Sequence, residues 1–187
     1  MRIVAGAARG RRLASPPDAV RPTSDRVREA LFASLGPRLR GAVVLDAFAG
    51  SGALGLEALS RGAAAVTLVE RDRRTLDVLR ENVRRVDLPG AEIVAGDVAR
   101  LFGAGGGLRG PYDLVLLDPP YALDEPALAD LLADLPALLA PGAVVVVERA
   151  AGAPDPTWPA PLRPGTPRRY GSTRLHRAER AGPSEEP

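Results

Sequence analysis

The sequence contains no cysteine and no lysine, and only one histidine among its 187 residues. The absence of cysteine excludes disulfide bonds, thiolate-ligated zinc and a thiol nucleophile. One histidine offers too few ligands for a conventional zinc site, so no metal is expected. No apolar run approaches the roughly 20 residues that span a bilayer, and no signal-peptide pattern follows Arg2. A cytoplasmic protein without a membrane partner is therefore expected.

Positive charge is concentrated towards the two ends of the chain. The formal net charge is only +2, and all 25 basic residues are arginine. Residues 1–30 hold seven arginines against three acids, and residues 149–180 hold seven against two. Because arginine contacts phosphate in a bidentate way and stacks on bases, this distribution favours a nucleic-acid partner. Codon bias with a solvated surface is the alternative that charge alone leaves open.

From about residue 42 onwards, short apolar segments alternate with turns and amphipathic segments. This alternation predicts an α/β fold with a doubly wound sheet. Strands are expected over 42–47, 65–70, 92–95, 112–117 and 143–148, with helices over 25–35, 72–86 and 125–139. Residues 2–14 predict a short N-terminal β-hairpin, and residues 166–177 predict another around Gly171. His176 in that second hairpin is expected at the surface or at a sheet edge.

Composition divides the chain into three parts. Residues 1–22 are predicted to form a basic arm, residues 23–180 a single catalytic domain, and residues 181–187 a disordered tail. The length suits one domain with a sizeable core.

The glycines Gly50, Gly52 and Gly55 form a G-x-G-x-x-G pattern between the first strand and a helix. Glycines at these positions allow a tight turn and a close approach of the backbone to a ligand. Glu70 lies 20 residues after Gly50, at the end of the next strand, where a carboxylate holds ribose hydroxyls. The pattern predicts a nucleoside cofactor.

Two cofactors fit this pattern. A nicotinamide dinucleotide needs an open helix N-terminus for its pyrophosphate, whereas S-adenosylmethionine (SAM) carries a sulfonium and an amino-acid end. Asp46 suits the cationic groups of SAM, although it also suits a cap on the turn. Asp97 is expected to accept from the adenine amino group or to cap a helix before Val98. Phe48 either lines the pocket or packs beneath it.

The segment Asp118-Pro119-Pro120-Tyr121 follows the predicted fourth strand. Two consecutive prolines stiffen the turn and remove two N–H donors, which leaves hydrogen-bond acceptors. Acceptors on both N–H bonds of an exocyclic amine would expose its otherwise delocalised lone pair for attack on a methyl group. We assign these acceptors to the Asp118 carboxylate and the Pro119 carbonyl, with Tyr121 stacking on the base. A merely rigid loop, with Tyr121 packed on the core, is the alternative.

The glycine loop and the Asp-Pro-Pro-Tyr segment together resemble the class I amino-methyltransferases. Three N-terminal segments are similar to the bacterial RsmD family of 16S rRNA guanine-N2 methyltransferases. These segments are residues 2–6, 9–13 and 21–32. The resemblance implies a Rossmann-like, seven-stranded, mostly parallel sheet with an antiparallel last strand. It also implies SAM as cofactor and 16S rRNA, in the 30S subunit or an assembly intermediate, as substrate.

The resemblance assigns roles to residues of this chain. The target-amine site comprises Asp118, Pro119 and Tyr121. The SAM site comprises Asp46, Phe48, Gly50, Gly52, Glu70, Arg71, Asp97 and Val98. The Arg21–Arg26 segment is expected as a lid near SAM and RNA, and RNA contacts are expected from Arg9, Arg11, Arg12, Arg21, Thr23 and Arg26.

Three other functions remain open from the residues. DNA adenine-N6 methylation shares the acceptor chemistry, but it would need extra recognition elements to flip a base from a duplex. A nicotinamide-dependent oxidoreductase would use the glycine loop and leave Asp-Pro-Pro-Tyr unexplained. A non-catalytic RNA-binding module would retain the pocket as a relic.

Overall fold

The structure is a computed structural model that describes residues 1–16, 25–103 and 105–182. It divides into two compact units, Met1–Asp97 and Val98–Pro187. Both are built from parallel strands with intervening helices, so the α/β, Rossmann-like class is confirmed. The division into three parts proposed from composition stays a prediction; residues 17–24 and 183–187 lie outside the described part of the chain.

The first unit contains a parallel three-stranded segment in the order β3-β2-β1. Its elements are α1 (Asp25–Leu35), a 3-10 helix (Gly36–Leu39), β1 (Val43–Asp46), α2 (Ala53–Ser60), β2 (Ala65–Glu70), α3 (Arg73–Val86) and β3 (Ala91–Ala95). Helix α1 begins and ends where the periodicity predicted. It buries the expected face of Val27, Leu31 and Leu35, since residues three to four apart lie on one side of a helix.

The N-terminal arm is a hairpin reduced to one β-bridge, Arg2 with Arg12. The Ile3 N–H donates to the Arg11 carbonyl at 3.0 Å, and the Gly10 N–H donates to the Ile3 carbonyl at 2.9 Å. The arm is attached to α2, because the Val4 and Ala5 amides donate to the Glu57 carboxylate at 2.7 and 3.0 Å. The predicted N-terminal hairpin is therefore present, with a minimal ladder.

The second unit contains β4 and β5 as a parallel pair, with β8 antiparallel to β5. Its elements are α4 (Val98–Phe102), β4 (Tyr112–Leu117), α5 (Glu125–Asp134), a 3-10 helix (Leu135–Leu138), β5 (Leu139–Ala150), β6 (Leu162–Pro164), β7 (Arg168–Tyr170) and β8 (Thr173–Arg180). The antiparallel last strand and the hairpin around Gly171 are confirmed. Strand β4 is apolar except for Asp113, and the middle of β5, residues 143–147, is apolar and buried, as expected where a sheet is covered on both faces.

The described residues contain eight strands rather than the expected seven; the additional strand, β6, lies in a proline-rich segment for which no strand was predicted. Strand β6 pairs with the end of β8 and β7 pairs with its beginning, both on the same outer edge. Pro164 is tolerated there because an edge strand leaves one row of N–H positions without ladder partners.

His176 is 2% exposed, so the expected surface position is wrong. It lies on β8 opposite Val147 of β5, and its Nδ1 is 3.9 Å from the Asp155 carboxylate. Burial lowers the pKa of His176, an effect that Asp155 partly opposes. The neutral imidazole is the favoured form at neutral pH, because desolvation penalises the charged form.

Candidate active site

The cofactor half of the candidate site follows β1 in the first unit. Strand β1 ends at Asp46, which is 1% exposed, and a loop leads to α2. The Asp46 Oδ2 accepts from the Gly55 N–H, in the first turn of α2, at 2.8 Å. Asp46 therefore caps the turn at the start of α2. A contact between Asp46 and a cofactor stays a prediction.

The capped helix start distinguishes between the two cofactors. A pyrophosphate binds at a helix N-terminus through unpaired N–H groups. At α2 the buried Asp46 side chain already accepts from the Gly55 N–H, so this N–H is not available to a phosphate. SAM carries no phosphate and does not need it. The first unit therefore fits SAM better than a nicotinamide dinucleotide.

The three loop glycines have different physical roles. A Cβ on Gly52 would lie 2.6 Å from a Leu79 methyl, and one on Gly55 would lie 2.4 Å from a Leu68 methyl. These two glycines therefore allow the loop and α2 to pack on the unit's interior. Gly50 has φ +55°, and a Cβ on it would meet nothing within 4 Å. Only Gly50 borders open space in which a ligand can approach the backbone.

Glu70 ends β2 and lies beside Gly50. Its Oε2 accepts from the Gly50 N–H at 3.1 Å, and its Oε1 accepts from the amides of Arg71 and Asp72 at 2.7 and 2.8 Å. A carboxylate oxygen has more than one lone pair, so these bonds leave acceptor capacity for ribose hydroxyls. The predicted pairing of the glycine loop with an acid on the next strand is thus present in the fold.

Asp97 follows β3, and its Oδ2 is 3.0 Å from Nη1 of Arg71. The pair is exposed, so the attraction contributes little to stability. Helix α4 starts at Val98, which is buried, and Phe48 is half-buried in the loop after β1. The assigned contacts of these residues with SAM stay predictions.

Asn82 is a functional candidate that the sequence reasoning missed. It is completely buried on α3 and donates from Nδ2 to the Ser51 carbonyl, in the glycine loop, at 2.8 Å. Its Oδ1 accepts from the Ala14 N–H at 2.7 Å, and its Nδ2 also donates to the Ala14 carbonyl at 2.9 Å. Asn82 therefore links the arm to the cofactor loop. An amide on the apolar face of an amphipathic helix, between Leu79 and Val86, was the available signal.

Glu57 was also missed, although a single acid in the otherwise apolar α2 was visible in the sequence. Besides holding the arm, it accepts from Arg61 Nε at 2.6 Å, and its side chain is fully buried. These three donors offset the cost of removing the carboxylate from water. Glu57 thus positions the arm on which several RNA contacts are predicted.

The predicted RNA-contact residues have different environments. Arg9, Arg12 and Arg26 are exposed, whereas Arg11 donates to the Arg85 carbonyl at 3.0 Å and also to the Val86 carbonyl, at the end of α3. A cation suits a helix C-terminus, so Arg11 has a structural function in addition to any RNA contact. Arg21 and Thr23, with most of the proposed lid, lie outside the described residues.

The amine half of the candidate site follows β4 in the second unit. Asp118 is half-buried, Pro119 is buried, and Tyr121 is 75% exposed. An exposed phenol ring is not packed on the core, so the rigid-loop alternative with a buried Tyr121 is wrong. The ring is accessible for stacking on a flat partner.

The loop after Tyr121 is fixed by several contacts. The Leu123 N–H donates to the Pro120 carbonyl at 2.9 Å, and Asp124 caps α5 by accepting from Ala127. Arg149 at the end of β5 donates to the Leu123 carbonyl at 3.1 Å and pairs with Glu125. Arg149 therefore holds the segment that carries Asp118 and Tyr121.

Within the described ranges, no cluster of three or more histidine or acidic side chains is arranged to hold a metal ion. No helix within the described ranges is long and apolar enough to cross a membrane.

The first unit joins a glycine loop to an acid on the next strand, and the second places an acceptor-rich loop after a parallel strand. Both features are typical of Rossmann-like proteins. The family model described as Conserved hypothetical protein 95 matches residues 1–179. The chain belongs to this family and has the fold of an RsmD-type methyltransferase. The nicotinamide alternative is thereby set aside.

Individual relatives agree with this assignment. The chain is 44% identical over 122 residues to Ribosomal RNA small subunit methyltransferase D of Escherichia coli, which covers 65% of this chain and 60% of that protein. It is 37% identical over 150 residues to the Haemophilus influenzae protein of the same name, covering 79% and 78%. The solved structure of the E. coli protein yhhF superposes with a TM-score of 0.86 at 37% identity, covering 97% and 98%.

Proposed function

We propose that the protein transfers a methyl group from SAM to the exocyclic N2 amine of a guanine in 16S rRNA, within the 30S subunit or an assembly intermediate. The observation that carries the proposal is the Asp-Pro-Pro-Tyr loop at the carboxyl end of β4, with Tyr121 exposed. Relatives named ribosomal RNA small subunit methyltransferase D support the substrate, and the resemblance to the RsmD family supports guanine N2. A cytoplasmic location follows from this substrate.

The cofactor supplies an electrophilic methyl group on a sulfonium when bound. Gly50 provides the open backbone position for it, and Glu70 provides acceptors for its ribose hydroxyls. The buried carboxyl group of Asp46 lies at the start of α2. The residues of the first unit thus bind and orient the donor, and orientation of two reactants contributes much of an enzymatic rate.

Three groups of the second unit act on the target base. The Asp118 carboxylate and the Pro119 carbonyl each accept a hydrogen bond from one N–H of the amine. These two hydrogen bonds direct the nitrogen lone pair away from the ring system. Tyr121 stacks on the base, an interaction worth about 1–3 kcal/mol. Transfer would break the bond between the methyl carbon and the sulfonium sulfur, which would keep the electron pair, as the carbon bonds to the amine nitrogen. The nitrogen would then be positively charged and lose one proton. We assign Asp118 as the proton acceptor.

The test is methyl transfer from labelled SAM to 30S subunits purified from cells that lack this gene. The wild type is expected to label one guanine of 16S rRNA, and Asp118→Ala is expected to reduce kcat at least about 100-fold while retaining SAM binding. Asp130→Ala, which removes an exposed carboxylate from α5 of the same unit, is the matched control and should retain activity.

Other outcomes would separate the alternatives. Label on duplex DNA adenine at a comparable rate, with none on 30S subunits, would replace RNA by DNA as the substrate. SAM binding without transfer to any nucleic acid would favour the non-catalytic RNA-binding module. Label on a ring atom or on a ribose would contradict the assigned exocyclic amine, and label on adenine or cytosine would contradict the assigned guanine.

A further inference from the structure

The C-terminal strands of the second unit carry a local excess of arginine that the proposed site does not use. Residues 162–180 contain six arginines and one acid, Glu179. Arg177 pairs with Glu179 at 2.6 Å, and Arg174 pairs with Asp155 at 2.8 Å. Arg168 and Arg169 are exposed, and neither pairs with an acid among the described residues. An exposed, uncompensated pair of arginines is suited to phosphate.

Strand register places these arginines at the same edge of the second unit as the Asp-Pro-Pro-Tyr loop. Leu117, directly before Asp118, is aligned with Val147 of β5. Two residues further along β5, Arg149 is aligned with Arg174 of β8, which is aligned with Arg169 of β7. Three strand spacings separate β4 from β7, which is about 14 Å. An RNA strand whose target base lies at Asp118 would therefore reach the β7–β8 hairpin within roughly four nucleotides, at about 3.4 Å for each nucleotide.

The hairpin holds its arginines in a defined position. Arg169 Nε donates to the Gly171 carbonyl at 3.0 Å, and Gly171 has the positive φ of +59° that the turn requires. This bond engages one of the five N–H donors of the guanidinium and leaves the others for a ligand. Arg149 in the same row is different, because its side chain is 9% exposed and is bonded to Leu123 and Glu125. Arg149 positions the loop and is not part of the binding surface.

We propose that the β7–β8 hairpin, through Arg168 and Arg169, binds the RNA phosphate backbone beside the target nucleotide. The inference rests on the proposed function and adds a contact surface in the second unit to the N-terminal contacts predicted for the first. Contacts of this kind fix the position of a nucleic acid without reading its sequence. The surface thus contributes affinity, and the choice of base stays with the Asp-Pro-Pro-Tyr loop.

The experiment compares Arg168→Ala/Arg169→Ala with Arg100→Ala/Arg109→Ala. The control pair is also exposed in the second unit and removes the same charge, and Arg109 precedes β4 at the opposite end of that strand. The Kd for 30S subunits would be measured across a range of salt concentrations, with KM and kcat from methyl transfer and the SAM Kd from calorimetry.

The hairpin variant is expected to raise the 30S Kd and KM about tenfold or more. Its slope of log Kd against log salt should fall by about one for each phosphate that an arginine no longer neutralises. The kcat at saturating RNA and the SAM Kd should not change. Arg168→Lys/Arg169→Lys should retain most of the salt slope, because it retains the charge.

Equal Kd values and salt slopes for the hairpin and control variants would overturn the inference while leaving the proposed function intact. A wild type that methylates neither 30S subunits nor 16S rRNA would instead overturn the proposed function, and the inference with it. The two failures are therefore distinguishable from the wild-type measurement alone.

Discussion

The glycine loop of the first unit and the Asp-Pro-Pro-Tyr loop of the second hold their backbones by different means. The glycine loop is flexible by composition, and it is fixed by distant side chains: Asp46 on β1, Glu70 on β2 and Asn82 on α3. The second loop is stiffened by its own prolines, and the aromatic ring of Tyr121 is exposed. Substitutions that affect the first loop should therefore lower folding stability and SAM affinity together, whereas those in the second should lower activity alone.

Asn82→Ala is the most severe test of the first half of this comparison. It removes three hydrogen bonds from a buried position and leaves the Ala14 and Ser51 backbone groups without that partner. The free energy of unfolding should fall by about 2–4 kcal/mol, measured by urea denaturation, and the SAM Kd should rise. Glu81→Ala, which truncates the preceding and more exposed residue, is the control. An unaltered SAM Kd in a folded Asn82→Ala protein would contradict the link between arm and loop.

Gly55→Ala and Gly50→Ala separate packing from ligand access within one loop. The added methyl at Gly55 would overlap a Leu68 methyl at 2.4 Å, so stability should fall by about 1–3 kcal/mol. At Gly50 nothing lies within 4 Å, so the stability loss should be limited to the backbone strain of about 1 kcal/mol. The SAM Kd should nevertheless rise more in Gly50→Ala than its stability loss explains. Thermal denaturation and calorimetric SAM titration would measure the two effects; equal changes at both positions would contradict the division of roles.

Tyr121→Ala tests whether a substitution in the Asp-Pro-Pro-Tyr loop lowers activity without lowering stability. Because the ring is 75% exposed, the free energy of unfolding should change by less than about 0.5 kcal/mol. Loss of stacking should weaken productive binding of the base by about 1–3 kcal/mol, seen as a lower kcat/KM for 30S subunits. Tyr121→Phe should retain most of the activity, since the ring remains. A large loss of stability in Tyr121→Ala would contradict the assigned exposure.

His176→Gln should have the smallest effect on stability. It tests whether the stability of the second unit depends on a buried group outside the Asp-Pro-Pro-Tyr loop. The pKa of His176 is lowered in the folded protein, chiefly by burial. The unfolded chain therefore binds a proton first as the pH falls below about 6.5, and stability declines until the folded pKa is passed. The slope should not exceed about 1.4 kcal/mol per pH unit. Denaturation of wild type and His176→Gln between about pH 8 and pH 5 should show this component absent from the variant. An identical pH dependence in both would contradict it.

The sequence alone determined the local features of both halves. Apolar segments predicted most strands, because burial on both faces leaves little room for polar residues, as in β4 and the middle of β5. The periodicity of α1 and the turn at Gly171 were predicted for equally local reasons. The glycine spacing, Glu70 and Asp-Pro-Pro-Tyr located the candidate site because each motif is contiguous or lies at the end of a strand.

Only the tertiary structure decided the features that depend on contacts between distant segments. Asn82 meets Ala14 and Ser51 across 68 and 31 residues, and Glu57 meets Val4 across 53. His176 is buried on β8 opposite Val147 of β5, and β6 and β7 pair along the other edge of β8. Contacts of this kind form only when two distant segments pack together, and the pattern of one segment does not specify its partner.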